Sequence, residues 1–249
     1  MARKSVDLLT IEGVSKKFGG RYVLRNVSAK LGTGKILGLI GKSAAGKSVL
    51  IHMLRGSEEY APDEGRVIYH VTRCTKCGDL GLPYEGEPCC KCGSPTETLA
   101  VDYWALKEDN PLRKAVKAHV AIMLQRTFAL FGDKSVIENV MDAVPDNVSG
   151  GDKVNRSIKM LEMVNMTHRT THIARDLSGG EKQRVVMARQ LAKEPLFFLA
   201  DEPTGALDTK TSVQVMDLLK EVANDRLVVM VTHNPELAEQ YSNRTVRLK

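Results

Sequence analysis

The chain has 249 residues, 43% of them hydrophobic and 27% charged, enough apolar sequence to fill the core of one large domain or two small ones, which excludes disorder as its main state. Its net charge of +6 comes from the first 35 residues, where Arg3, Lys4, Lys16, Lys17, Arg21, Arg25, Lys30 and Lys35 stand against Asp7 and Glu12, while the remainder carries 28 charges of each sign. An even remainder with 5% aromatics offers little of the basic, stacking surface that nucleic-acid binding uses, so no nucleic-acid partner is expected.

In chain order, residues 6–11 and 22–31 predict two antiparallel β-segments turning at Gly19-Gly20. The apolar run ILGLI (36–40) predicts a buried strand that passes through Gly41 into SVLIHMLRG (48–56), whose apolar residues recur at helical spacing. GRVIYHV (65–71) reads as a strand, and residues 72–97 as a loop-built insert without sustained periodicity. HVAIMLQ (119–125) resumes a buried strand, and residues 132–195 form a helical subdomain with patterns at 136–144 and 157–164. The end of the chain alternates strand 196–201, helix 212–224, strand 226–232, a short helix after Pro235 and strand 244–249. Such alternation predicts an α/β fold, a parallel sheet covered by helices, within one domain over 1–249. ILGLI, LFFLA (196–200) and LVVMV (227–231) are all strand length, far short of the ~18 residues of a membrane span, so the chain is not expected to cross a bilayer. The N-terminus lacks the apolar middle of a signal peptide, and all five cysteines lie between 74 and 92, a local device that favours a reducing cytoplasm.

Residues 41–48, Gly-Lys-Ser-Ala-Ala-Gly-Lys-Ser, fit G-x-x-x-x-G-K-[ST] between a predicted strand and a predicted helix. A glycine loop of this kind lets backbone N–H groups and a helix N-terminus face phosphate, with Lys47 in reach of the β- and γ-oxygens and the Ser48 hydroxyl of magnesium. LFFLADE places Asp201 at the C-terminal end of an apolar strand, where a carboxylate can hold the magnesium shell, with Glu202 beside it. Leu177-Ser-Gly-Gly-Glu-Lys-Gln-Arg184 opens a helix, Ser178 and Glu181 forming a capping box while Gly179 and Gly180 leave the first turn open to an anion. The SGG at 149–151 lacks the flanking residues of this stretch and reads as a loop. His168 and His172 have i,i+4 spacing without a third ligand nearby, and read as an exposed helix face.

In this order the motifs resemble the ATP-binding cassette ATPase family across nearly the whole chain. The resemblance implies a P-loop fold of that type, with an N-terminal antiparallel part and the helical subdomain. It implies ATP and magnesium as ligands, with Gly41, Ser43, Gly46, Lys47, Ser48 and Val49 around the phosphates, Phe18 stacked on adenine, and Gln125 sensing magnesium and the γ-phosphate. Ser48, Gln125 and Asp201 would surround the magnesium ion. Glu202 would be general base or water-positioner, with Lys47, Gln125 and His233 at the γ-phosphate. Ser178, Gly179, Gly180 and Gln183 would complete the site of a second cassette paired head to tail, in a tandem chain or a homodimer, with Asp208 at the dimer interface. Ala44 departs from the frequent glycine and Val49 from a common threonine.

Cys74-x2-Cys77-Gly, then ten residues, then Cys89-x2-Cys92-Gly has the spacing of a structural four-thiolate site. Zinc is the first assignment and iron the second, with Cys90 spare. The insert falls where transporter cassettes are short and face their membrane partner, which points to a specialised or soluble one. The stretches 74–93 and 121–140 resemble the ATP-binding activation components of the methyl-coenzyme M reductase system of methanogenic archaea, first cassette of a tandem pair. That resemblance implies ATP-driven work on methyl-coenzyme M reductase together with soluble activation proteins. The alternatives are the ATPase subunit of a membrane transporter and a DNA-repair cassette ATPase.

Overall fold

The computed structural model describes residues 6–248 apart from 33, 43, 85, 125–129, 147, 206 and 225. The N-terminal hairpin is longer than its alternation predicts: β1 (Asp7–Phe18) and β2 (Arg21–Gly32) pair antiparallel around Gly19-Gly20. The other edge of β1 takes β4 (Glu64–Cys74), which pairs in turn with β5 (Leu80–Gly81) and β6 (Thr96–Asp102). Three of the N-terminal cations are matched locally, Lys30 by Asp7 at 2.6 Å, Lys16 by Asp63 at 3.5 Å and Lys17 by Glu64 at 3.6 Å.

The second sheet is parallel throughout. Its order is β10 (Arg244–Arg247), β3 (Ile36–Ile40), β9 (Leu227–Thr232), β8 (Phe197–Asp201) and β7 (Val120–Met123). The continuous apolar runs are explained by burial on both faces. Leu37, Leu39, Phe197, Leu199, Val229 and Val231 face the antiparallel sheet and α1 (Lys47–Arg55), while Ile36, Ile40, Phe198, Ala200, Val228 and Met230 face the helices on the other side. Those helices include α3 (Val136–Met141), α4 (Gly150–Met163), α5 (Gly179–Leu191) and α6 (Thr209–Ala223).

The SGG at 149–151 starts a helix instead of a loop: Ser149 is the N-cap of α4, its hydroxyl accepting from Asp152 N–H, and both glycines lie in the first turn. The Ser-x-x-Asp spacing supplies the cap that starts it. His168 and His172 share no helix either; a 3-10 turn covers only Thr167–Arg169, and His172 Nε2 contacts Arg169 at 3.0 Å. Helix α2 (Pro111–Ala118), capped by Asn110 with proline at its first position, lays Leu112, Ala115 and Val116 against the first core.

Helix α1 lies inside the first core with Leu50, Ile51, Met53 and Leu54 at most 1% exposed. It ends at Gly56, whose φ of +75° is left-handed and whose missing side chain admits the Tyr103 hydroxyl. Gly56→Ala is expected to cost about 1–3 kcal/mol, from overpacking against Tyr103 and from the left-handed backbone. A urea titration that leaves the midpoint unchanged would contradict this packing.

Candidate functional site

β3 delivers the phosphate loop at the C-terminal edge of the parallel sheet. Gly46 caps α1 with φ +86°, and a Cβ there would meet the Val23 carbonyl and Leu24 Cδ2 at 2.7 Å, so the close approach of loop to β2 demands glycine. Lys47 is 9% exposed, its ammonium donating to the carbonyls of Gly41 at 2.7 Å and Lys42 at 3.0 Å. Phosphate oxygens seated in the loop can take over these donors. Ala44 sits at φ +63°, the conformation that glycine would take freely, so the departure noted in the sequence carries a backbone cost of about 1 kcal/mol. The Ser48 hydroxyl is exposed at the first turn, Val49 packs toward the first core, and Ser43 lies outside the described residues.

β8 ends in Asp201, two strands from β3. Burial, then the neighbouring Glu202, raises its carboxyl above the usual range, opposed by His52 and Lys47. Glu202 is 9% exposed at φ +49°, its N–H donating to Val231 O at 2.9 Å and its Oε2 pairing with His233 Nδ1 at 2.8 Å. The strand ends of β8 and β9 thus bring together two residues 31 positions apart. Gln183 is buried and spends its amide on the Pro203 carbonyl, bracing the turn after Glu202.

Two cavities flank the loop. One, of about 600 Å³ between the open edges of β2 and β10, is lined by Tyr22, Val23, Ala45 and Arg247 among others. The second, of about 540 Å³, is lined by Gly41, Lys42, His233, Pro235 and Arg247 among others. Tyr22, Val23 and Arg247 escaped the sequence reading; Arg247 is placed only by its register with Ile40, which no motif encodes. Phe18, at the end of β1, is 38% exposed with its ring edge-on to Tyr60, centroids 6.0 Å apart.

Ser178, Gly179 and Gly180 line neither cavity. The Glu181 N–H donates to the Ser178 hydroxyl at 3.4 Å and the Ser178 N–H to the Glu181 carboxylate at 2.9 Å, forming the expected capping box of α5. Gly180 packs against Thr211, whose N–H and hydroxyl donate to Asp208 at 3.0 and 2.7 Å. Ser178–Gly180 and Asp208 therefore form a second group, and Gln125 lies outside the described residues.

The cysteine insert folds as two matching turns on the β4–β6 pair, Gly78 N–H donating to Cys74 O and Gly93 N–H to Cys89 O at 3.1 and 2.8 Å. The Sγ atoms of Cys74, Cys77, Cys89 and Cys92 all lie within 4.8 Å of one another, with Cys74 to Cys92 at 3.4 Å and Cys77 to Cys89 at 3.6 Å. A tetrahedral cage with bonds of about 2.3 Å to sulfur has edges of about 3.8 Å, so the set fits a four-coordinate ion. The N–H groups of Cys77 and Lys76, each 3.4 Å from Cys74 Sγ, hold that thiol down to about 6. Cys90 is exposed and stands outside the cluster. Burial lowers the pKa of His119, the residue before β7, and Asp79 and Lys91 of the insert, paired with each other at 2.6 Å, are among the nearby charges. The insert thus adjoins the N-terminal end of the parallel strands, opposite Asp201.

Among the described residues no helix is long and apolar enough to cross a membrane. A family model described as ABC transporter matches residues 24–205. An uncharacterised ABC transporter ATP-binding protein of Methanocaldococcus jannaschii is 48% identical over 97% of this chain and 45% of its own length. The methionine import ATP-binding protein MetN of Brucella abortus is 31% identical over 98% of this chain and 58% of its own. The chain thus spans about half the length of these curated relatives. Among solved structures, a dimeric ATP-binding cassette in a post-hydrolysis state with ADP and Pi superposes with a TM-score of 0.71 at 26% identity, over 97% of this chain and 94% of that one.

Proposed function

The chain belongs to the ABC transporter family as an ATP-hydrolysing cassette, and from this we propose that ATP bound between two such cassettes drives a conformational change in an attached partner. The observation that carries the reading is the convergence of Lys47, Asp201 and the Glu202–His233 pair on one sheet edge. In this reading Lys47 and the loop N–H groups hold the β- and γ-phosphates, Phe18 supports the base, and Glu202 orients the attacking water and takes its proton. His233, already bonded to Glu202, steadies that carboxylate beside the γ-phosphate. Ser48 and Asp201 are the described residues whose oxygens suit magnesium, which would neutralise the phosphate charge. Ser178–Gly180, which line neither cavity beside the loop, serve the partner cassette's γ-phosphate, with Asp208 beside them at the interface.

The four-cysteine cage suits zinc by its donor set and its dimensions, with iron as the alternative. The ion would supply a structural cross-link between the two turns.

For the attached partner, the relatives favour a membrane transport subunit. Besides the methionine import protein, the macrolide export ATP-binding/permease protein MacB of Chlorobium luteolum is 33% identical over 91% of this chain and 29% of its own length. A second reading, ATP-dependent activation of methyl-coenzyme M reductase through soluble proteins, draws on the cysteine module, which adds a surface at the sheet end opposite the nucleotide loop. The deciding experiment traps the Glu202→Gln protein with ATP and magnesium in an anaerobic native extract and identifies what is retained. A polytopic membrane protein is expected; recovery of methyl-coenzyme M reductase with soluble accessory proteins would overturn transport in favour of activation.

A further inference from the structure

We propose that Tyr60 is a positioning residue for the nucleotide base. It acts through Phe18, and the inference therefore rests on the reading of Phe18 as the base platform. Phe18 ends a strand and is 38% exposed, with the Lys16 ammonium over its ring at 5.4 Å from the centroid. It forms a T-shaped pair with Tyr60, at 71° between ring planes. Tyr60 in turn stacks face to face on His52, centroids 4.9 Å apart and planes 21° apart. His52 belongs to α1, the helix whose first turn carries Lys47 and Ser48. One column of three rings thus ties the platform for the base to the helix that receives the phosphates.

Two further contacts fix the segment that carries Tyr60. Glu58 holds the buried Arg113 guanidinium by two hydrogen bonds of 2.8 and 2.9 Å, and Arg113 packs over the rings of Tyr103 and Trp104 at 4.7 and 4.9 Å. On the other side of Tyr60, Asp63 accepts the Lys17 backbone N–H at 2.6 Å and donates its own N–H to the Ser15 carbonyl at 3.0 Å. The 58–63 segment is therefore fastened to the core on one side and to the strand end of Phe18 on the other. Preorganising the ring lowers the cost of ordering it when a base stacks.

The test uses the full chain and two probes, ADP and inorganic pyrophosphate, with affinities measured by calorimetry. An edge-to-face pair is worth enough to change affinity by about two- to tenfold. Tyr60→Ala is expected to weaken ADP by that factor and leave pyrophosphate unchanged, while Tyr60→Phe, which keeps the ring, restores ADP binding. Phe18→Ala should weaken ADP at least as much, and the double variant no more than Phe18→Ala alone. If Phe18→Ala weakens ADP and Tyr60→Ala does not, the positioning role is overturned. Loss of pyrophosphate binding together with ADP in Tyr60→Ala would also overturn it, showing damage to α1 instead. If Phe18→Ala itself leaves ADP unchanged, the platform reading is what fails.

Discussion

Glu202→Gln is expected to lower the turnover of the paired cassettes by at least about a hundredfold and to leave ATP affinity close to wild type, since a positioned base contributes about 10²–10⁴ in rate. The substitution keeps the volume of the side chain and a hydrogen-bonding atom toward His233 Nδ1, now 2.8 Å from Oε2, so the φ +49° turn and its N–H bond to Val231 have no reason to move. What is lost is the charge that we propose orients a water and accepts its proton. With ATP and magnesium the variant should therefore accumulate as a dimer in which Ser178–Gly180 of each copy faces the γ-phosphate of the other. Phosphate release, nucleotide affinity and light scattering in the presence of ATP measure the three consequences separately. Undiminished phosphate release would remove Glu202 from the chemistry. A matching loss of ATP affinity would mean instead that its carboxylate holds the nucleotide complex, and the reacting water would need another partner.

The parts of this site that could be read from the sequence are those whose chemistry depends on neighbours along the chain. The phosphate loop needs its glycine, lysine and serine in fixed spacing because a single strand-to-helix turn presents them all, and ILGLI and LFFLA announce strands because both of their faces are covered. The capping box at Ser178 is likewise local. Tyr60 and Arg247 carry no such mark: one reaches Phe18 across the fold through ring contact, the other reaches Gly41 only through β10–β3 register. The helix at Gly150 shows a third kind of difficulty, since two glycines disfavour a helix interior but cost little in a first turn that Ser149 caps. Val23 joins the site by close approach of backbones at Gly46, an approach visible only once β2 and α1 are packed.

The second large effect is expected at the cysteine cage, because little else can hold that segment folded. Between residues 75 and 97 the described buried side chains are Leu80, Pro83 and Cys89, which together bury too little apolar surface to offset the ordering of more than twenty residues at about 1–2 kcal/mol each. A tetrathiolate ion adds an apparent binding energy on the order of 10 kcal/mol, which becomes folding energy for the insert. Protein purified anaerobically should therefore carry about one metal ion per chain, measured by mass spectrometry, and Cys89→Ser should lose it, whereas Cys90→Ser should keep it. Proteolysis should then cut Cys89→Ser within 75–95 while ADP affinity stays unchanged, since the cage adjoins His119 at the far end of the sheet from Asp201. Absorbance separates the two candidate metals, because zinc thiolates are colourless in the visible and iron thiolates are not. Full metal retention by Cys89→Ser, or a metal-free wild-type protein whose insert still resists protease, would show that the four sulfurs meet for packing alone.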